Sequence, residues 1–146
     1  GGYYTSMADA VEQLPAETGG PWVGRALRAV AEVVHVARDL KLTKSQHVMF
    51  LLADMMTWAE VAGAMCQKAA RTDLGGKWSR DFMLAVSRLF ARETVELAHA
   101  NAQKILRGGE ATADGAADPI IARLPVAACQ AGLLRDMDFI AAEMTK

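Results

Sequence analysis

Six residues have the types and spacing that could hold a pair of metal ions. Glu12, the pair Glu32 and His35, Glu60, and the pair Glu96 and His99 follow one another along the chain. Ferritin-like helical bundles use this order of ligands: a lone Glu on each of two helices and a Glu-x-x-His on each of the other two. Residues three apart share a helix face, so each Glu and His pair could grip one ion. Periodicity argues against the site. Glu32 and His35 fall on a polar stripe with Arg25, Arg28 and Asp39, opposite the apolar stripe of Val23, Leu27, Val30 and Val34. Glu96 and His99 share a stripe with Arg88, Arg92 and Gln103. Ligands in a bundle must project inward, whereas these stripes are expected to face water.

Other chemistry finds less support. No serine sits in a Gly-x-Ser-x-Gly turn, and neither Cys66 nor Cys129 has a histidine close by in sequence. Both cysteines read as small buried apolar residues. The Gly-Gly pairs at 19–20, 75–76 and 108–109 lack the spacing and preceding strand of a phosphate-binding loop. Met49, Met55, Met56 and Met65 crowd one segment; they read as core filling, with a groove for a lipid or a partner helix as the alternative. The residues themselves therefore assign no catalytic, cofactor-binding or metal-binding position.

The elements that would position these groups are helices. Val, Ile and Thr are scarce beside Ala, Leu, Met, Arg and Glu, and no stretch alternates with period two. A short helix is expected over residues 7–14, capped by Ser6 and followed by Pro15. A second starts at Pro21 and runs to about Leu40, a third starts from Thr43 or Ser45 and runs to about Arg71, and a fourth covers residues 79–106. The third is apolar on nearly all sides, so it is expected in the middle of the bundle. The fourth is expected to pack through Phe82, Val86, Leu89, Phe90, Leu97 and Ile105. Asp118 and Pro119 read as the cap and first turn of a last helix, which Pro125 must kink or split. Its remainder is expected to bury Cys129, Leu133, Ile140 and Met144. The fold expected is an all-α, up-down four-helix bundle over residues 21–146, preceded by a short helix and linker over residues 1–20.

The chain has 146 residues, and 52% of them are hydrophobic and 23% charged, a globular composition that fits one domain. A formal net charge of −1 gives no electrostatic case for nucleic acid as partner. Locally the charge is uneven: +3 over residues 21–47 and over 77–107, −3 over 1–20 and over 110–146. That pattern reads as segments that neighbour one another. Charges interrupt the apolar runs at Asp54 and Glu60, so no transmembrane span of about 20 apolar residues is expected. The start lacks the pattern of a secretion signal, and two cysteines make no disulfide framework; both point to a cytoplasmic setting.

Two stretches resemble the acyl-CoA dehydrogenase family. Gln46-His47-Val48-Met49-Phe50-Leu51-Leu52-Ala53-Asp54-Met55, with Ala69-Ala70 further on, is similar to the first long helix of that family's C-terminal domain, where a Gln precedes Leu-Ala-Asp-Met by the same six residues. Ser87-Arg88-Leu89-Phe90-Ala91-Arg92-Glu93 resembles its Ala-Lys-Leu-Phe-Ala-Ser-Glu segment, and Gln103 to Gly109 stands near its Gln-Ile-x-Gly-Gly turn. The resemblance covers roughly residues 25–109. The departures fall on the flavin-binding and catalytic turns. Residues 38–43 hold no Phe-Gly, and Gly109 is followed by Glu110-Ala111-Thr112 without Gly-Tyr-Gly, a nearby Arg-Asp or a Glu-Gly-Thr. A chain that has the helices but not these turns resembles the extra C-terminal domain of the longer, very-long-chain-type members. The resemblance implies a non-catalytic domain excised from a larger protein, without a flavin of its own. Its parent would use FAD to dehydrogenate an acyl-CoA in fatty acid metabolism. The domain's own partners would be the remainder of that polypeptide, further copies in a homo-oligomer, or a membrane surface touched peripherally. Trp22 and Trp78, near helix starts, are its candidate exposed contacts.

Overall fold

The computed structural model describes residues 2–71, 76–109 and 114–146, and among them it is all helical, 83% helix with no strand. Six α-helices follow in chain order: α1 (Gly2–Glu12), α2 (Gly20–Asp39), α3 (Gln46–Ala70), α4 (Arg80–Arg107), α5 (Asp114–Ala122) and α6 (Leu133–Met144). Single 3-10 turns lie at Ala16–Thr18, Leu42–Lys44 and Ala128–Gln130.

Helix boundaries follow their caps. Pro21 occupies the first turn of α2, where its missing N–H is no loss. Ser45 Oγ accepts a hydrogen bond from Val48 N at 3.4 Å and so opens α3; Ser79 Oγ does the same for α4, from Phe82 N at 3.1 Å. Two starts differ from the sequence reading. α1 begins at Gly2, five residues before Met7, so Ser6 lies inside it. The Tyr3–Tyr4 end is carried into the helix because Tyr4, with Ala8 and Val11, is buried on one face. α5 begins at Asp114, and Pro119 lies within it, where the Pro119 carbonyl accepts from Arg123 Nε at 2.9 Å. Pro125 does split the C-terminal segment. The chain makes one 3-10 turn and re-enters a helix only after Gly132, whose φ of +82° suits glycine.

The core gathers the inner faces of α1, α2, α3 and α4. α2 contributes Val23, Leu27, Val30 and Val33, all fully buried; each is worth about 1.5–3 kcal/mol relative to an exposed position. The central helix is α4, which packs against α2, α3, α5 and α6. It can do so because its buried face is built on small residues, Ala85, Ala91, Ala98 and Ala102, with Val95 among them. Val86, Leu89, Phe90 and Leu97, expected in the core, are only half-buried around this face.

α3 is therefore not the middle helix. Leu52, Met55, Ala59, Ala62, Cys66 and Ala69 form one buried edge against α2 and α4, and the opposite side faces out. Phe50 is 64% exposed there, and Met49 and Val61 are also exposed. By length and composition α3 is also apolar enough to cross a bilayer, despite Asp54 and Glu60. α6 departs further. Its single buried residue is Asp136, while Leu134, Met137 and Met144 are exposed and Leu133 and Ile140 half-buried. Met144, expected in the core, lies outside it.

The two candidate contacts, Trp22 and Trp78, both pack within the chain. Trp22 is half-buried with the Arg92 guanidinium 5.4 Å above its ring, and Trp78 stacks on Phe82 at 4.3 Å.

Candidate functional site

The six metal-ligand candidates do not meet. Glu12 holds Arg28, which also reaches Asp9. Glu32 pairs with Arg123, and exposed His35 pairs with Asp39. Glu60 accepts hydrogen bonds from Tyr3 Oη at 2.9 Å and Tyr4 Oη at 3.2 Å; burial, together with the Glu60 carboxylate, pushes the Tyr4 phenol up to about 12. Glu96 accepts from Gln130, and His99 lies 3.3 Å from the Gln103 amide. Among the described residues, no three His, Cys, Asp or Glu side chains converge. Substituting His35 and His99 by Ala is accordingly expected to change stability by less than about 0.5 kcal/mol each. Denaturant midpoints of the two variants check this, and a loss of several kcal/mol would restore a structural or metal role.

The cysteines are buried and separate. Cys66 Sγ donates to Thr18 O at 3.3 Å, and Ser87 Oγ donates to the same carbonyl at 2.6 Å. Burial pushes the Cys66 thiol up to about 11, so it stays protonated and unreactive at neutral pH. Its function is to help fasten the turn between α1 and α2 onto α3 and α4.

The most concentrated chemistry lies where the sequence reading placed a solvated stripe. Arg92 is only 2% exposed and Asp136 only 3%. Arg92 Nη1 donates to Asp136 Oδ2 at 2.8 Å, Nε to Cys129 O at 2.6 Å and Nη2 to Ala131 O at 3.0 Å. Arg88 grips the same carboxylate with two bonds, 3.0 and 2.8 Å, and donates to Glu17 O at 2.9 Å. Burial alone would raise the Asp136 carboxyl, but the hydrogen bonds and charges of Arg88 and Arg92 outweigh it and hold the group below its ordinary value. No donor or acceptor is left over: among the described residues every buried side-chain N and O has a partner. With its bonds all made inside the chain the centre acts as a fastener, beside a cleft of about 250 Å³ that Glu17, Arg88, Arg135, Asp136 and Phe139 line. The centre ties the 3-10 turn after Pro125 and α6 to α4.

One signal for it was available in sequence. Arg88 and Arg92 stand four apart, a like-charge spacing that disfavours an isolated helix unless a counter-ion sits between them. The segment charges carried the same information. Arg28 with Asp9 and Glu12, Arg80 with Glu17, Arg88 and Arg92 with Asp136, Arg107 with Asp118, and Arg123 with Glu32 each join a positive segment to a negative one or bridge two segments of the bundle.

Besides a cleft of about 320 Å³ that Glu12, Arg25, Arg28, Glu32 and Arg123 line, two apolar surfaces lie along α3. A groove of about 680 Å³ runs between α2 and α3, lined by Val34, Met49, Leu52 and Met56, with Arg38 and Glu60 among its polar residues. The methionine cluster is thus divided: Met55 is core, Met49 and Met56 line this groove, and Met65 is half-buried. Beside the groove lies the outward face of α3. Gln103, which opens the segment compared above with a Gln-Ile-x-Gly-Gly turn, has its amide engaged by His99 and by Arg107, the latter at 3.5 Å.

No family model, no curated protein and no solved structure matches this chain.

Proposed function

We propose that the chain is a docking domain: a non-catalytic, up-down four-helix bundle with an added N-terminal helix, belonging to an acyl-CoA dehydrogenase-like flavoprotein. The observation that supports this most is the outward side of α3, where Phe50 and Val61 are exposed on a helix long and apolar enough to cross a bilayer. Phe50 and Val61 stand about three turns apart on that face, and a helix face that leaves such side chains in water is one that a partner would cover. In the resemblance this same segment, Gln46 to Met55, carries the family likeness. FAD and the acyl-CoA chemistry belong to the parent's catalytic part, and no reaction step runs through this chain. Its work is packing, oligomerisation or peripheral contact in a cytoplasmic enzyme.

A second reading has one specific observation behind it. The methionine-lined groove between α2 and α3 suits an adaptor that takes an apolar partner segment, since methionine adapts to varied surfaces.

The test is association. The chain is mixed with an acyl-CoA dehydrogenase catalytic fragment encoded in the same reading frame, and sedimentation velocity is recorded. Co-sedimentation at tens of micromolar, lost in a Phe50→Asp variant, is the expected result. Absence of such a fragment upstream, or no association with it, overturns the flavoprotein reading.

A further inference from the structure

We infer that the outward face of α3 pairs with the same face of a second copy of this chain, antiparallel and centred on Val61. This rests on the docking function above and names the partner.

The face is a regular stripe. Phe50, Asp54, Thr57, Val61, Ala64 and Lys68 recur at steps of four and three residues and are all exposed. Those steps keep side chains on one helix face, as in a coiled-coil seam. Two of the six are charged, and neither Asp54 nor Lys68 is ion-paired within the chain among the described residues. What marks Asp54 and Lys68 is that they are opposite in sign and are the two charges of a stripe that is otherwise uncharged.

Their positions are symmetric. Asp54 precedes Val61 by seven residues and Lys68 follows it by seven. A two-fold contact requires a self-complementary patch, in which a residue that touches another is touched by its counterpart in return. With Val61 on the axis and the helices antiparallel, Asp54 of each copy meets Lys68 of the other, twice. A parallel pairing would put aspartate on aspartate and lysine on lysine. Charge therefore selects the antiparallel arrangement, and the small and β-branched residues Thr57, Val61 and Ala64 allow close approach between the charged pairs.

The size of the patch sets the strength. Centred on Val61, the paired helices overlap over residues 52–70, about 28 Å long and about 10 Å across, a footprint of roughly 280 Å². Stable interfaces bury about 800 Å² per partner, so this pairing alone is a weak dimer contact, with a dissociation constant in the tens to hundreds of micromolar.

Charge reversal at surface positions tests it without threatening the fold, which circular dichroism of each variant confirms. Sedimentation equilibrium of the full chain is expected to show a monomer–dimer equilibrium that weakens with added salt. Asp54→Lys and Lys68→Asp should each weaken it by at least about tenfold, because each places like charges face to face. Mixing the two variants should restore dimers, since in the mixed pair both contacts set a lysine of one copy against an aspartate of the other. A chain that stays monomeric at several hundred micromolar overturns the inference. So does a dimer indifferent to Asp54→Lys, or two variants that fail to pair when mixed. A monomer that still binds the catalytic fragment overturns this inference and leaves the docking function standing.

Discussion

Asp136→Ala is expected to be the most damaging single substitution in the chain, costing about 3–5 kcal/mol. Removing one partner of a buried ion pair leaves the other charge without compensation in a poorly hydrated place. Here two guanidinium groups lose their common carboxylate, and one of them, Arg92, is almost wholly buried. A typical domain has only about 5–15 kcal/mol in hand. Arg92→Ala should cost a similar amount by the opposite route, since the Cys129 and Ala131 carbonyls and the carboxylate all lose their donor. The contrast is Arg80→Ala, which breaks an exposed pair with Glu17 and should cost less than about 1 kcal/mol. Urea midpoints of the three variants check the ranking. An Asp136→Ala loss no larger than that of Arg80→Ala would show that the buried centre contributes little.

The same group sets a pH dependence. The Asp136 carboxyl titrates lower in the folded chain than in the unfolded one, where it is near 3.9. Its contribution to stability is therefore complete above the unfolded value and is lost as pH falls through the lower, folded one. The C-terminal segment should loosen first, because α6 has no other fully buried residue to hold it. Amide-exchange protection in α6, relative to the intrinsic rate at each pH, should fall on acidification before protection in α2 does, and Asp136→Ala should show that low protection already at neutral pH.

How much of this was legible depends on what a periodic pattern can report. It reports which side of a helix is apolar, and on α2 that was nearly enough: Val23, Leu27 and Val30 are buried as the stripe requires, while Val34 is half-buried at the groove. On α3 it failed, because apolarity all round says that neighbours are wanted, not that this chain supplies them. The small residues of α4 made it the better central helix, and an alanine face is a weak apolar signal. Polar character misled in the opposite sense at Arg92, whose counter-ion is Asp136. A charged residue reads as solvated unless its counter-ion is known, and the two lie 44 positions apart in sequence. For the candidate site, the dispersal of Glu32, His35, Glu96 and His99 followed from their polar stripes, although the stripe through Arg92 was inward. The exposed α3 face could be suspected from composition but only located once α2 and α4 had taken its other side.

Gly20→Ala is expected to cost about 3 kcal/mol although it adds one methyl group. A Cβ at position 20 would stand 2.3 Å from the Val11 carbonyl oxygen and 3.2 Å from Leu14 Cβ. The first of these is backbone, in the last turn of α1, so relief requires α1 to move off α2. Overpacking of this kind costs about 1–3 kcal/mol, and a clash with main chain belongs at the upper end. The gain from replacing glycine in a helix is small here, because Gly20 is the first residue of α2. Gly24 separates the two effects. Its Cβ would meet Glu12 Cγ at 2.3 Å, a side chain that can swing away at the cost of its partly exposed bond to Arg28. Gly24 also lies inside α2, where alanine recovers up to about 1 kcal/mol of helix propensity. Gly24→Ala should therefore stay within about 1 kcal/mol of the parent chain while Gly20→Ala does not. Denaturant midpoints of the two variants, with amide exchange at Ala8 and Val11, decide between them. Equal and small losses would mean that α1 can shift on α2 without penalty, and that the close approach at Gly20 is not what holds the N-terminal helix in place.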